Sequence, residues 1–217
     1  VYSIAASGVN IFAATYGGGI FLSTNNGSNW TAVNNGLTNN YFYSLAVSGT
    51  NIFAGNNGAG IFFSTNNGNS WTQVNNGLRN RIVYSLFSNG SNIYAGSGSE
   101  IFLSTNNGTS WTQSYYTPST SFTYSFVNIG TNLFAGSFGI GVLLSTNNGT
   151  SWTSVNNGLT NLNVYSLAAS GNNLFAGTAA GGVFLSTNNG TSWTQVNNGL
   201  PNNIVWSLLV NGSNIFA

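Results

Sequence analysis

Three observations predict that this chain is all-β and built from repeated four-stranded units. An eight-residue pattern, Ser-Thr-Asn-Asn-Gly-x-x-Trp, occurs five times, ending at Trp30, Trp71, Trp111, Trp152 and Trp193, with spacings of 41, 40, 41 and 41 residues. Two aromatic markers keep register with it. An aromatic followed by Ser stands at Tyr2, Tyr43, Tyr84, Tyr124, Tyr165 and Trp206, and an aromatic before Ala stands 10 residues later at Phe12, Phe53, Tyr94, Phe134, Phe175 and Phe216. No stretch keeps a helical period over two turns, whereas Gly or Asn-Gly punctuation recurs throughout. A fixed period of this size is the mark of a repeat architecture.

The second repeat shows the elements in order. Tyr43-Ser44-Leu45-Ala46-Val47 is β-branched and aromatic-rich and stops at the turn Ser48-Gly49-Thr50-Asn51. Ile52-Phe53-Ala54 is a second strand, followed by the loop Asn56-Asn57-Gly58-Ala59-Gly60. Ile61-Phe62-Phe63-Ser64 is a third, and Asn66-Asn67-Gly68 turns the chain. Ser70-Trp71-Thr72-Gln73-Val74 is the fourth, and Asn75-Asn76-Gly77-Leu78 leads onward. Units of about 40–45 residues with four strands have the size of a propeller blade. Stacking such blades would bury the repeated Tyr, Leu, Phe and Ile between neighbours. The expected organisation is a single β-propeller domain, or a segment of one. Its repeats are about 1–41, 42–82, 83–122, 123–163 and 164–204, with a half blade at 205–217; a linear β-solenoid is the alternative.

Composition narrows function. The 217 residues hold two Arg, one Glu and no Lys, Asp, His, Cys or Met, so charged residues are 1% where about 25% is usual. Usual zinc, iron or copper sites, acid–base pairs, Ser-His-Asp triads and Cys nucleophiles cannot be assembled from such side chains. The expectation is a protein that is no enzyme and has no cofactor. Two arginines cannot neutralise a phosphate backbone, so nucleic acid is not an expected partner. No apolar run reaches the roughly 18 residues of a membrane-spanning helix. Asn occurs 39 times and, with Ser, Thr and Gly, takes over the solubilising role of charge. The start at Val1 reads as a mature or excerpted segment.

The repeated pattern resembles the Asp-box (BNR) motif, Ser-x-Asp-x-Gly-x-x-Trp, of sialidase-like, sortilin-like and photosystem-assembly-factor-like β-propellers. The corresponding residues are Ser23, Asn25, Gly27 and Trp30; Ser64, Asn66, Gly68 and Trp71; Ser104, Asn106, Gly108 and Trp111; Ser145, Asn147, Gly149 and Trp152; and Ser186, Asn188, Gly190 and Trp193. In every copy Asn replaces the box Asp, which keeps an acceptor oxygen for turn N–H groups and gives up the charge. The resemblance implies a structural box on the turn between third and fourth strands. It also raises glycoside hydrolysis, for which sialidases use an arginine cluster, a Tyr/Glu pair and an acid, more charge than Arg79, Arg81 and Glu100 supply. The near-identical copies are similar to secreted, surface-associated bacterial repeat proteins, which implies an extracellular or cell-surface place.

The repeats differ mainly in their second-to-third loops and fourth-to-first connections, which a propeller brings to one face. Tyr16, Arg79, Arg81, Glu100, Tyr115, Tyr116 and Phe138 are therefore the candidate binding residues, with the irregular connection Ser114-Tyr115-Tyr116-Thr117-Pro118 foremost. The bland readings are loop drift and a surface ion pair among the three charges. Sequons at Asn26, Asn29, Asn89, Asn107, Asn148, Asn189 and Asn211 are either glycosylation acceptors or copies of one duplicated turn. Two functions stay open. One is a structural, self-assembling or adhesive surface protein whose half blade pairs with another chain or with further sequence; the other is a lectin-like propeller binding glycan or protein.

Overall fold

The structure is a computed structural model and describes residues 1–117 and 120–217. It is all-β. The first sheet runs β1 (Ser3–Ser7), β2 (Asn10–Ala14), β3 (Ile20–Ser23), β4 (Thr31–Ala32) in that order. The second runs β5 (Phe42–Ser48), β6 (Asn51–Asn56), β7 (Ile61–Ser64), β8 (Thr72–Gln73), and the third β9 (Ser85–Asn89), β10 (Asn92–Ser97), β11 (Glu100–Ser104), β12 (Thr112–Tyr116). The fourth holds β13 (Phe122–Ile129), β14 (Asn132–Phe138), β15 (Gly141–Ser145) and β16 (Thr153–Ser154). The fifth holds β17 (Val164–Ser170), β18 (Asn173–Thr178), β19 (Val183–Ser186) and β20 (Thr194–Gln195). Last come β21 (Leu209–Asn211) and β22 (Asn214–Phe216), paired with each other. Each repeat is thus an antiparallel meander, as the turn signals predict. The chain divides into two compact units, 1–113 and 114–217.

The core lies between consecutive sheets. In the first unit Phe12 and Ile20 pack with Phe42, Ile52, Phe62 and Trp71 of the next repeat. Phe53, Ile61 and Leu78 pack in turn with Ile93, Phe102 and Trp111. In the second unit Phe134 and Val142 meet Leu167, Leu174, Phe184 and Trp193. A four-stranded sheet cannot cover its own apolar faces, so each repeat borrows cover from the next.

The expected fourth strand, Ser70–Val74, shrinks to Thr72–Gln73 because Trp71 has another task. Its indole Nε1 donates to the Val33 carbonyl of the preceding repeat at 2.8 Å, and its backbone N donates to the Asn35 carbonyl at 2.9 Å. Trp111 repeats this on Val74 and Asn76, and Trp193 on Val155 and Asn157. Gly36, Gly77 and Gly158 sit so close beneath the carbonyl oxygens of Trp71, Trp111 and Trp193 that a Cβ would collide with them. Trp30, in the first repeat of the sequence, is 40% exposed, against 3–8% for the other four box tryptophans. At Gly199, in the fifth repeat, a Cβ would meet open space among the described residues. The indole is the staple between repeats.

The turn carrying the repeated pattern is held from within. Ser64 Oγ accepts from Gly68 N at 2.9 Å, and Asn66 Oδ1 accepts from Ser70 N at 3.0 Å. The same pair of contacts recurs around Ser23, Ser104, Ser145 and Ser186. Asn26, Asn67, Asn107, Asn148 and Asn189 all take φ near +55°, the left-handed region that Asn tolerates better than most residues.

Candidate ligand-binding face

The aromatic-Ser marker does not go into the core as the sequence suggests. In three first strands the register slips by one residue at the marker. Phe42 pairs with Asn56 and Ser44 with Gly55, leaving Tyr43 as the extra residue, and Tyr124 and Tyr165 are passed over in the same way. A β-bulge breaks the in–out alternation and re-aims the side chain it carries. The rings are consequently half-exposed, while the aromatic-Ala marker on the next strand is buried at Phe12, Phe53, Tyr94, Phe134 and Phe175. Period-two reading hides this, since one extra residue shifts every face beyond it.

In the first unit the turned-out rings form a cluster of phenols. Tyr2 meets Tyr43 edge-on at 5.5 Å between centroids, and Tyr43 stacks on Tyr84 at 5.3 Å. Tyr16, from the first second-to-third loop, joins Tyr2 at 5.9 Å, Tyr41 at 4.8 Å and Tyr43 at 6.0 Å. Loop and connection lie side by side because Gly17 N and Gly19 N donate to the Asn40 carbonyl, and Tyr16 bridges Tyr41. Burial raises the Tyr43 phenol pKa above its usual 10.0, and the neighbouring Tyr16, Tyr84 and Tyr2 raise it further. Burial likewise raises that of Tyr84. Tyr43 and Tyr84 are therefore neutral hydroxyls at any ordinary pH.

The second unit carries a more apolar version. Tyr124 meets Tyr165 at 5.7 Å, and Tyr165 stacks flat on Trp206 at 4.2 Å and 7°. Phe138 stacks on Tyr165 at 6.3 Å and approaches Phe122 at 6.4 Å. Trp206 is 69% exposed. Both clusters offer ring surface together with hydroxyl or indole N–H tips, a combination suited to ligands that are apolar on one side and wet on the other.

The candidate residues divide between the units. Tyr16, Arg79, Arg81 and Glu100 belong to the first; Tyr115, Tyr116 and Phe138 belong to the second. Tyr16 and Phe138 enter the aromatic clusters. Tyr115 is half-buried and Tyr116 exposed, both on β12, where a loop was expected; Pro118 lies outside the described residues. Arg79 and Arg81 line a cleft of about 760 Å³. No ion pair joins them to Glu100 among the described residues. Burial raises the Glu100 carboxyl pKa, and Arg79 pulls it the other way. Sequence reading missed Tyr2, Tyr43, Tyr84, Tyr124, Tyr165 and Trp206 as surface residues; only the polar Ser after each ring could have hinted at a broken pattern. All seven sequon asparagines are exposed.

No protein-family model and no curated protein matches the sequence. Solved structures do match. An ancestral GH74 enzyme superposes with a TM-score of 0.80 at 24% identity, covering 96% of this chain and 33% of its own. The extracellular domain of a B. thetaiotaomicron protein described as a hybrid two component system gives 0.75 at 17% identity, covering 96% and 30%. YCF48 bound to D1 peptide gives 0.69 at 14% identity, covering 93% and 67%. The chain thus spans about a third of the first two proteins. The fold is that of β-propellers, and a linear solenoid is not favoured.

These likenesses correct one expectation. Composition set the chain apart from enzymes, yet its repeats share the fold of a GH74 glycoside hydrolase. The count misled because it weighs only the side chains of 217 residues, a third of that enzyme's length. No helix among the described residues is long and apolar enough to cross a membrane, which says nothing of strands.

Proposed function

We propose that this chain is a ligand-binding, adhesive propeller module of an extracellular or cell-surface protein, in which each aromatic cluster holds glycan. The observation that carries the reading is the bulge that turns Tyr43, Tyr124 and Tyr165 out of the sheet at matching positions. A side chain re-aimed three times, beside variable loops, is a feature that packing alone does not require. Phenol hydroxyls and uncharged ring surface suit a neutral, hydroxyl-rich chain. Two neighbours support it in part: one is an extracellular domain, and one is a propeller bound to a peptide. We also read the repeated turn as an Asp-box with Asn in the Asp position, on the strength of its Ser and Asn hydrogen bonds. In a glycosylating host the exposed sequons would carry sugar.

The test is a titration of the chain with soluble β-glucan and xyloglucan oligosaccharides, followed by tryptophan fluorescence. Trp206 reports from the second cluster because it is the most exposed indole. Saturable quenching, lost in Tyr165→Ala and absent in Trp206→Phe, supports the reading. A panel of neutral glycans without a single saturable signal sinks it.

A second reading is self-association, or pairing with further sequence, through 205–217. It is favoured by the free edge of β22 and the exposed Leu209, Ile215 and Phe216. Light scattering that finds monomer at every concentration rules out self-association.

A further inference from the structure

Arg79 and Arg81 are the chain's only cationic side chains, and they stand two residues apart. The repeat scaffold does not ask for them. The equivalents of Arg79 are Thr38, Thr160 and Pro201, and those of Arg81 are Asn40, Leu162 and Asn203. What the scaffold uses at the second position is the carbonyl: Arg81 O accepts from Gly58 N and Gly60 N, as Asn40 O accepts from Gly17 N and Gly19 N. The guanidinium is left over. Both arginines line the 760 Å³ cleft together with Asn76, Thr112 and Gln113. Among the described residues neither guanidinium donates a hydrogen bond within the chain, and the side chains of Asn76, Thr112 and Gln113 are likewise unengaged. The apolar wall residues, Leu78 and Trp111, are buried and give an apolar ligand no foothold.

We infer that this cleft binds a carboxylate carried on a sugar, that is, a uronic acid unit of an acidic polysaccharide. A guanidinium fork matches a carboxylate through two parallel hydrogen bonds. Free amide and hydroxyl groups around it match the hydroxyls of the same sugar ring and its neighbours. Apart from Glu100, which feels the charge of Arg79, no acidic side chain opposes the arginines, so their field attracts an incoming anion. An acidic peptide would find the same cations but no apolar pocket for its other side chains. This site is independent of the aromatic clusters, and either can stand without the other.

Calorimetric titration of the chain with polygalacturonate oligomers, their methyl esters and heparin fragments tests the inference. The acid oligomer is expected to bind with 1:1 stoichiometry and to weaken as salt rises, because the contact is charged and exposed. The methyl ester, which has lost the carboxylate charge, is expected to bind at least about tenfold more weakly. The double variant Arg79→Thr, Arg81→Asn carries residues that the first repeat connection already uses, so it should keep the wild-type melting temperature while losing about tenfold or more in affinity. Tyr43→Ala should bind the acid oligomer as the parent does. Equal binding of acid and ester, or unchanged binding by the folded double variant, overturns the inference. Heparin binding as tightly as polygalacturonate would also overturn it, reducing the cleft to unselective charge attraction.

Discussion

The third repeat and the other four full repeats solve the same local problem differently. In the first, second, fourth and fifth, a side-chain amide clamps the start of the third strand. Asn34 Oδ1 accepts from Ile20 N at 2.8 Å while its Nδ2 donates to Gly18 O at 3.1 Å, and Asn75, Asn156 and Asn197 repeat the arrangement. The clamp needs a glycine beside it. Gly19, Gly60, Gly141 and Gly182 have φ between +74° and +87°, and a Cβ on any of them would strike the clamping amide. In the third repeat both members change together: Glu100 stands at the glycine position and Tyr115 at the asparagine position. There the loop is one residue shorter, and β12 extends to five residues where its counterparts have two. Backbone pairing replaces a side-chain clamp, and the released loop is where the chain keeps its one carboxylate. A strict repeat thus tolerates departure only when the whole local device departs.

The largest effect should come from forcing a Cβ into a clamped repeat. Gly60→Ala adds left-handed strain and a clash with Asn75, for about 2–4 kcal/mol by urea unfolding. Glu100→Ala, at the equivalent place in the third repeat, should change stability by under about 0.5 kcal/mol. If both cost the same, the two repeats are not built differently. Next, Asn75→Ala removes an acceptor for Ile61 N and a donor to Ala59 O, and is expected to cost about 1–3 kcal/mol. Tyr115→Asn alone should gain nothing, since Glu100 still occupies the glycine position.

A smaller contrast lies in the serines after the aromatic marker. Ser3, Ser125 and Ser166 Oγ each accept from a backbone N of the next repeat, at Leu45, Leu167 and Leu208, at 3.0–3.1 Å. Facing the third repeat, Ser44 Oγ is buried without a partner among the described residues. Ser166→Ala should therefore cost about 1 kcal/mol, whereas Ser44→Ala should be neutral or stabilising in the same denaturation assay. The smallest effect is electrostatic. Glu100 has its pKa raised, chiefly by burial, so its neutral form is the better tolerated in the fold. Its contribution is full below the unfolded value near 4.5 and is lost as pH rises through the higher folded one. The melting temperature should rise slightly from pH 7 to pH 3, and Glu100→Gln should flatten that slope. Above pH 10 the raised phenols of Tyr43 and Tyr84 act in the same direction, and stability should fall as they ionise.

Much of this was legible in sequence. The period, the four strands, the turns and the Trp spacing follow from residues whose backbone demands are strong: Gly, Asn-Gly and alternating aromatics. What stayed hidden depends on contacts between repeats. Asn34 and its counterparts read as turn residues, because nothing local shows that their amides reach a strand 14 residues back. Trp71 reads as a strand residue, because its acceptor lies in the previous repeat. The bulge at Tyr43 is invisible since one extra residue changes no composition, only facing. The irregular connection around Tyr115 was visible as a departure, but its partner at Glu100 became meaningful only once the clamp was seen.

The most direct test of the central claim, that each repeat is fastened to the one before it by a seated indole, is hydrogen exchange at the six tryptophan Nε1–H groups followed by NMR. Trp71, Trp111 and Trp193, bonded to a backbone carbonyl of the preceding repeat, should exchange slowly. Trp152, whose acceptor is the Ser114 hydroxyl at 3.2 Å, should be intermediate, and Trp30 and Trp206 fast. Six indoles exchanging at one common rate would contradict the account.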